Sequence, residues 1–140
     1  MADFVLDCSA AMACWLHDGS PEAVEAVEAA LSSGLAVVPA LWPFEVASVL
    51  RSAERRRNLR PEKSQRILLE ISACDVHVEP APSVLDLQSQ LMFARRLHIT
   101  TYDAAYLEIA LRKSIPLATL DRRLAEAARY EGVQLLIEGL

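Results

Sequence analysis

Short apolar runs, each leading into a helical pattern, recur along this chain and restrict it to one class of fold. Phe4-Val5-Leu6 ends at Asp7, and Leu35-Ala36-Val37-Val38 ends at Pro39. Val76 and Val78 alternate with polar neighbours, as an edge strand does, and Pro116-Leu117-Ala118-Thr119 runs up to Asp121. A last run, Val133 to Ile137, follows Gly132. Runs this short, bounded by turn and helix signals, read as strands.

The segments between them carry helix signals. Ser9 is a candidate cap for a helix to about Leu16. Ser20-Pro21-Glu22 combines a capping hydroxyl, a proline at the first helical position and an acid in the first turn. Ala23, Val27, Ala30 and Leu31 form one face of that helix, which Gly34 closes. A long helix from about Ala40 towards Asn58 tolerates Pro43 only in its first turn, where no N–H is needed. Pro61 opens another, with Ile67, Leu68 and Ile71 expected inside. Further helices are expected from Ser83 to Leu97, from Asp103 to Lys113 and from Asp121 to Tyr130. Strands alternating with helices specify a parallel sheet covered on both faces. The expectation is therefore an α/β fold: one domain over residues 1–140, three layers, α/β/α, around a sheet of four to five strands. In such open sheets the site lies beyond the carboxyl ends of the strands.

Three cysteines, Cys8, Cys14 and Cys74, form no C-x-x-C pair, which argues against a disulfide framework or a zinc knuckle. Reduced thiols fit a cytoplasmic chain. The N-terminus has no basic segment, and Asp3 and Asp7 interrupt it, so no signal peptide is expected. The uncharged stretch from Ala29 to Phe44 contains Gly34, Pro39 and Pro43 and makes a poor membrane span. A net charge of −5 speaks against a general nucleic-acid binder. The distribution is uneven, however: seven of the 14 basic residues fall between Arg51 and Arg66. That stretch reads either as a solvated face or as a contact surface. Arg51 and Arg55 lie one turn apart and could both meet a substrate, with Arg122 a further candidate for a phosphate. His17, His77 and His98 match no ligand spacing, and Trp15 and Trp42 read as core or interface.

Four acids stand out. Asp7 ends one strand-like run and Asp121 follows another. Asp103 stands at a helix start, and Glu45 lies on an otherwise apolar stripe with Leu41 and Val49. Each has an ordinary reading. Asp103 and Asp121 would serve as helix caps, typically stabilising by about 1 kcal/mol. Glu45 would be the buried partner of an arginine. Together they read as one pocket. Like charges about 4 Å apart repel by on the order of 4 kcal/mol at an effective dielectric of 20, so such a cluster needs protons or a cation. Oxygen ligands without His or Cys suit Mg²⁺ or Mn²⁺. The matching chemistry is metal-assisted hydrolysis of a phosphodiester.

Four blocks carry a family resemblance. They are Val5-Leu6-Asp7-Cys8-Ser9; Pro39-Ala40-Leu41-Trp42 through Glu45-Val46 to Val49-Leu50; Thr101-Tyr102-Asp103-Ala104-Ala105-Tyr106-Leu107; and Leu117-Ala118-Thr119-Leu120-Asp121-Arg122-Arg123-Leu124. In this order they resemble a PIN-domain ribonuclease, more narrowly a VapC-type toxin of a toxin–antitoxin pair. The resemblance covers essentially the whole chain. It implies Asp7 and Asp103 as main metal ligands, with Glu45 and Asp121 completing the site directly or through water. Ser9 and Thr119 match positions that usually carry a hydroxyl, and Ser48 departs from the family's frequent asparagine. The resemblance also implies an RNA substrate, a VapB-like antitoxin that masks the site, and a homodimer.

Other classes fit less well. A receiver domain needs an aspartate at the end of the third strand and a late lysine; this chain has Glu79 there and no lysine after Lys113. A phosphatase with an aspartyl nucleophile needs a second aspartate two residues on, where Ser9 stands. A housekeeping nuclease, or a PIN-like fold that only binds RNA or protein, stays open on sequence alone.

Overall fold

The computed structural model describes residues 3–139; Met1, Ala2 and Leu140, the ends of the expected domain, lie outside the described residues. Four strands form the sheet: β1 (Phe4–Leu6), β2 (Ala36–Val38), β3 (Val76–Val78) and β4 (Leu117–Ala118). Their order is β3-β2-β1-β4, and every pairing is parallel. Val5 stands beside Val37 on one side and Leu117 on the other. β1, β2 and β4 are wholly buried, as the apolar runs require. β3 is the expected edge, and its Val78 is exposed.

Among the described residues seven α-helices complete a three-layer α/β/α arrangement: α1 (Cys8–Trp15), α2 (Pro21–Ser33), α3 (Trp42–Arg56), α4 (Pro61–Ser72), α5 (Gln88–Leu97), α6 (Thr101–Lys113) and α7 (Arg122–Tyr130). Ser20 caps α2 from its side chain and Pro21 sits at its start. Pro43 falls in the first turn of α3, where its missing donor costs nothing. Helix α6 packs across β1, β2 and β4, while α5 and α7 pack on α6 and α1 packs on α2 and α3.

The order places β1 between two neighbours reached in opposite directions along the sheet. The crevice outside the carboxyl ends of β1 and β4 is thus the point where the topology reverses, the usual ligand position in open α/β sheets.

Some expected boundaries shift. Val133–Ile137 is not a fifth strand but makes one parallel bridge, Leu135 to Leu117. The reason lies in β4, whose chain beyond Ala118 turns away to bond α1 and α7, leaving little edge to pair. The expected helix from Ser83 begins with a 3-10 turn, Leu85–Leu87, and becomes α-helical at Gln88. Ser83 and Asp86 cap that turn reciprocally, at 3.1 and 3.2 Å. Ile67 is buried as expected, whereas Leu68 is exposed, because only one stripe of α4 meets the core.

The turn after α1 is wound tightly onto that helix. The N–H groups of Asp18 and Gly19 both donate to the Ala13 carbonyl, at 3.2 and 3.3 Å. A Cβ at Gly19 would stand 2.7 Å from the Ala13 Cβ. Gly19→Ala is expected to cost about 1–3 kcal/mol, read by urea denaturation; a loss below about 0.5 kcal/mol would match an ordinary surface change and refute the close approach.

Candidate active site

Asp7 is delivered by β1 and ends it. Its extended backbone sets the start of α1, where its Oδ1 accepts from Ala10 N at 2.9 Å and from Ser9 Oγ at 2.7 Å. Its Oδ2 accepts from Thr119 Oγ1. The helix cap is therefore Asp7, and Ser9, the expected cap, lies at the second helical position. Asp7 is 4 % exposed. Burial outweighs the three bonds and, helped by the charge of Asp121, pushes its carboxyl from the ordinary 3.8 up to about 6.

Both hydroxyls also reach the far side of the crevice. Ser9 Oγ accepts from Leu120 N at 2.9 Å, and Thr119 Oγ1 accepts from Asp121 N at 3.0 Å. Asp121 caps α7 through Oδ1, accepting from Arg123 N at 2.9 Å and Leu124 N at 3.2 Å. Among the described residues no donor reaches its Oδ2.

Helix α6 brings the third aspartate. Its cap is Thr100, whose Oγ1 accepts from Asp103 N at 3.0 Å, so the helix starts two residues before the expected position. The capping reading of Asp103 falls, because the cap is already filled. Half-burial, then the charges of Asp121, Asp7 and Glu45 in that order, push its carboxyl up to about 6. The Thr100 hydroxyl bonds that carboxyl and favours the ionised form, but is outweighed. One turn on, the Tyr106 hydroxyl donates to Glu45 Oε1. Glu45 therefore finds a neutral phenol and not the arginine its buried-partner reading required. Burial raises the Glu45 carboxyl and the Tyr106 bond partly offsets that. Burial and Glu45 in turn hold the Tyr106 hydroxyl protonated. The Cys8 thiol, pushed up to about 12 by burial and then by Glu45 and Asp7, stays neutral.

Four carboxylates distant in sequence thus share one electrostatic neighbourhood beyond β1 and β4. A model of the PIN domain matches residues 4–130.

The chain belongs to the PIN domain family.

Solved structures with the same fold include PAE2754 of Pyrobaculum aerophilum, at 22 % identity and a TM-score of 0.70, covering 96 % of this chain and 84 % of that one. A toxin–antitoxin complex from Klebsiella pneumoniae is similar over 99 % of this chain and all of that one, at 18 % identity and a TM-score of 0.60. FitAcB of Neisseria gonorrhoeae is 15 % identical with a TM-score of 0.59, covering 94 % of this chain and 95 % of that one. No curated protein sequence matches the chain at a significant level.

Within this PIN domain Arg51, Arg55 and Arg122 are exposed, and none of them lines the groove beside the acids. That groove, about 720 Å³, runs from Ser9, Leu120 and Glu45 to Arg56 and Arg57. Sequence reasoning assigned Tyr106 no role and held Arg56 and Arg57 only within the basic stretch from Arg51 to Arg66, without singling them out. For Arg56 a signal existed: the Glu45–Val49 stripe, continued by whole turns, arrives at it.

The donor set is hard oxygen, which fits Mg²⁺ or Mn²⁺. Among the described residues no group of three or more His, Cys, Asp or Glu side chains could hold a metal ion on its own. Mg²⁺ keeps several waters and needs only one or two direct carboxylates, so this does not exclude it.

Because Asp103 titrates higher folded than unfolded, the folded chain binds its proton more tightly. Its protonated form is compatible with full stability below about pH 4, and stability declines as pH rises through about 6. In EDTA, Asp103→Asn should flatten that decline and raise stability at pH 7 by about 1 kcal/mol, discounted for its half exposure. Thermal melting from pH 4 to 7 checks this; an unchanged slope would mean the acids do not repel one another.

Proposed function

We propose that this PIN domain is a metal-dependent endoribonuclease and the toxin of a toxin–antitoxin pair. One observation carries the reading: Asp103, which no helix cap requires, is placed where three other carboxylates oppose its ionisation. A pocket that destabilises the ionised form of its own residues is arranged for a cation. The Klebsiella pneumoniae toxin–antitoxin complex of the same fold supports the toxin reading.

Asp7 and Asp103 would hold the ion directly, with Glu45 and Asp121 contributing directly or through water. Bound there, Mg²⁺ or Mn²⁺ supplies Lewis acidity towards the phosphodiester and lowers the pKa of water. The chain supplies the rest. Ser9 and Thr119 fix both oxygens of Asp7, so its orientation is set before anything binds. Tyr106 fixes Glu45 at Oε1 and leaves Oε2 able to accept a proton from water. Asp121 spends Oδ1 on its helix and keeps Oδ2 for a water. An unpaired RNA segment is the fitting substrate, since its backbone can bend into a groove.

The partner reading rests on a separate surface. An apolar groove of about 680 Å³ includes Leu41, Phe44, Val84, Leu91 and Tyr102. Phe44 is 79 % and Tyr102 64 % exposed, and each immediately precedes a site acid. An antitoxin seated there would mask the acids, and exposed apolar area of this kind marks protein contact. We place the chain in the cytoplasm as a homodimer; among the described residues no helix is long and apolar enough to cross a membrane. A second reading, a PIN fold that binds without cutting, draws on the lack of a self-sufficient ligand group.

Single-stranded RNA should be cut with Mg²⁺ or Mn²⁺, not in EDTA, and Asp7→Asn or Asp103→Asn should lower the rate at least 100-fold. Mn²⁺ should raise the melting temperature of the parent chain more at pH 7 than at pH 5, because protons compete for the same carboxylates. Cutting retained by both variants would reject the site; a folded parent chain that binds RNA and never cuts would favour the second reading.

A further inference from the structure

The groove that Glu45, one of the four site acids, lines at one end is lined by Arg56 and Arg57 at the other. Glu45, Ser48, Ser52 and Arg56 lie three or four residues apart along α3 and all line it. Spacings of three and four keep one face of a helix, so these side chains form a stripe. From Glu45 to Arg56 the helix rises about 16 Å, at 1.5 Å per residue. Arg57 lines this groove and also a second cavity of about 630 Å³, which it shares with Arg60, Lys63 and Arg66. Basic side chains therefore line both cavities from the end of α3 to the start of α4, with Asp18 and Glu45 the acids in the first and Glu62 the acid in the second, although the whole chain carries a net charge of −5.

Resting on the nuclease reading above, we propose that Arg56 and Arg57, with Ser48 and Ser52, form a phosphate track leading one RNA strand from the acids towards Arg60, Lys63 and Arg66. Among the described residues no carboxylate pairs with Arg56, Lys63 or Arg66, and Arg60 pairs with Glu62 at 3.5 Å with both side chains largely exposed. Arg57 pairs with Asp18 at 2.7 Å, but both side chains are about half exposed. Such a pair contributes about 0–1 kcal/mol, so it orients Arg57 without removing it from reach of a phosphate. At a stacked rise of about 3.4 Å per nucleotide, the 16 Å stripe corresponds to roughly five nucleotides. Arg56 would then hold a phosphate several positions from the scissile one.

The ordinary reading of basic residues here is that they complement the carboxyl end of α3. It applies equally to Arg55, which does not line the groove, so Arg55 provides the control. An acidic peptide is the less fitting occupant, because the exposed apolar surface a protein partner needs lies in the other groove, around Phe44 and Tyr102.

The test is fluorescence anisotropy with labelled single-stranded RNAs of ten and of three nucleotides, using the full chain carrying Asp103→Asn so that nothing is cut. Adding Arg56→Gln and Arg57→Gln should weaken binding of the ten-mer about tenfold and reduce the log–log salt slope by about 1.4. The same pair should change binding of the three-mer by less than about twofold, because so short a strand at the acids does not reach the cations. Arg51→Gln with Arg55→Gln, an identical charge change off the groove, should stay within about twofold on both RNAs. Asp18→Asn, which frees Arg57, should tighten binding of the ten-mer. Equal losses for the two arginine pairs would reduce the effect to net charge and overturn the track. So would unchanged RNA affinity accompanied by lost capture of a co-expressed antitoxin. If the parent chain cuts no RNA but the Arg56/Arg57 dependence holds, the nuclease reading fails while the track stands. If it cuts and the dependence is absent, the track alone fails.

Discussion

The carboxyl of Asp7 is the junction on which the site geometry depends. A strand end, a helix start and the end of the adjacent strand all meet on it, through Ala10 N, Ser9 Oγ and Thr119 Oγ1. A buried carboxyl must be hydrogen-bonded or it cannot stay buried. Meeting that demand forces β1 and β4 to end together and fixes where α1 and α7 begin. Ser9 and Thr119 each donate to Asp7 and accept from the backbone of the segment after β4. The crevice beside β1 and β4 is therefore set by the same bonds that close the fold. Even so satisfied, Asp7 titrates at about 6, a displacement worth about 3 kcal/mol against its ionised form.

How far this was legible in the sequence depends on whether the deciding partner was near or far along the chain. The strands β1, β2, β3 and β4 stood out because their apolar runs are broken by Asp7, Pro39, Pro80 and Asp121. The start of α2 was legible because Ser20, Pro21 and Glu22 agree. Caps were not, where two side chains compete within three residues. Asp7 and Ser9 could each open α1, and Thr100 and Asp103 could each open α6. Only the backbone path, Asp7 extended and Thr100 extended, decides between them. Glu45 was legible as an anomaly on an apolar stripe, but its partner was not. Tyr106 lies 61 positions away, and nothing local singles it out among the aromatic residues.

Charge is distributed here in a way the total conceals. The site acids gather at the strand ends, and cations gather along one groove of α3 and into α4. Arg51 and Arg55, the expected substrate contacts, do not line the groove beside Glu45, because helical spacing says which residues share a face, not which face meets a groove. Once Glu45 marks the groove side, rotation by whole turns selects Arg56 and leaves Arg51 and Arg55 pointing elsewhere. The acid acts as the reference mark for the base.

Asp103 separates what the fold needs from what it merely carries. Asp7 and Asp121 both perform structural work as caps, so their presence could be explained by stability alone. An acid in the first turn of α6 normally gains a few tenths of a kcal/mol or more from the helix N-terminus, which should lower its pKa. Asp103 moves the opposite way, so burial and the three neighbouring charges outweigh the helix. Thr100 already supplies the cap, and its hydroxyl offsets only part of what raises the carboxyl. An asparagine there would fold at least as well. A residue that the helix does not require, and whose ionised form burial and three neighbouring charges oppose, has no stability role that would explain its place; the proposed cation site would give it one.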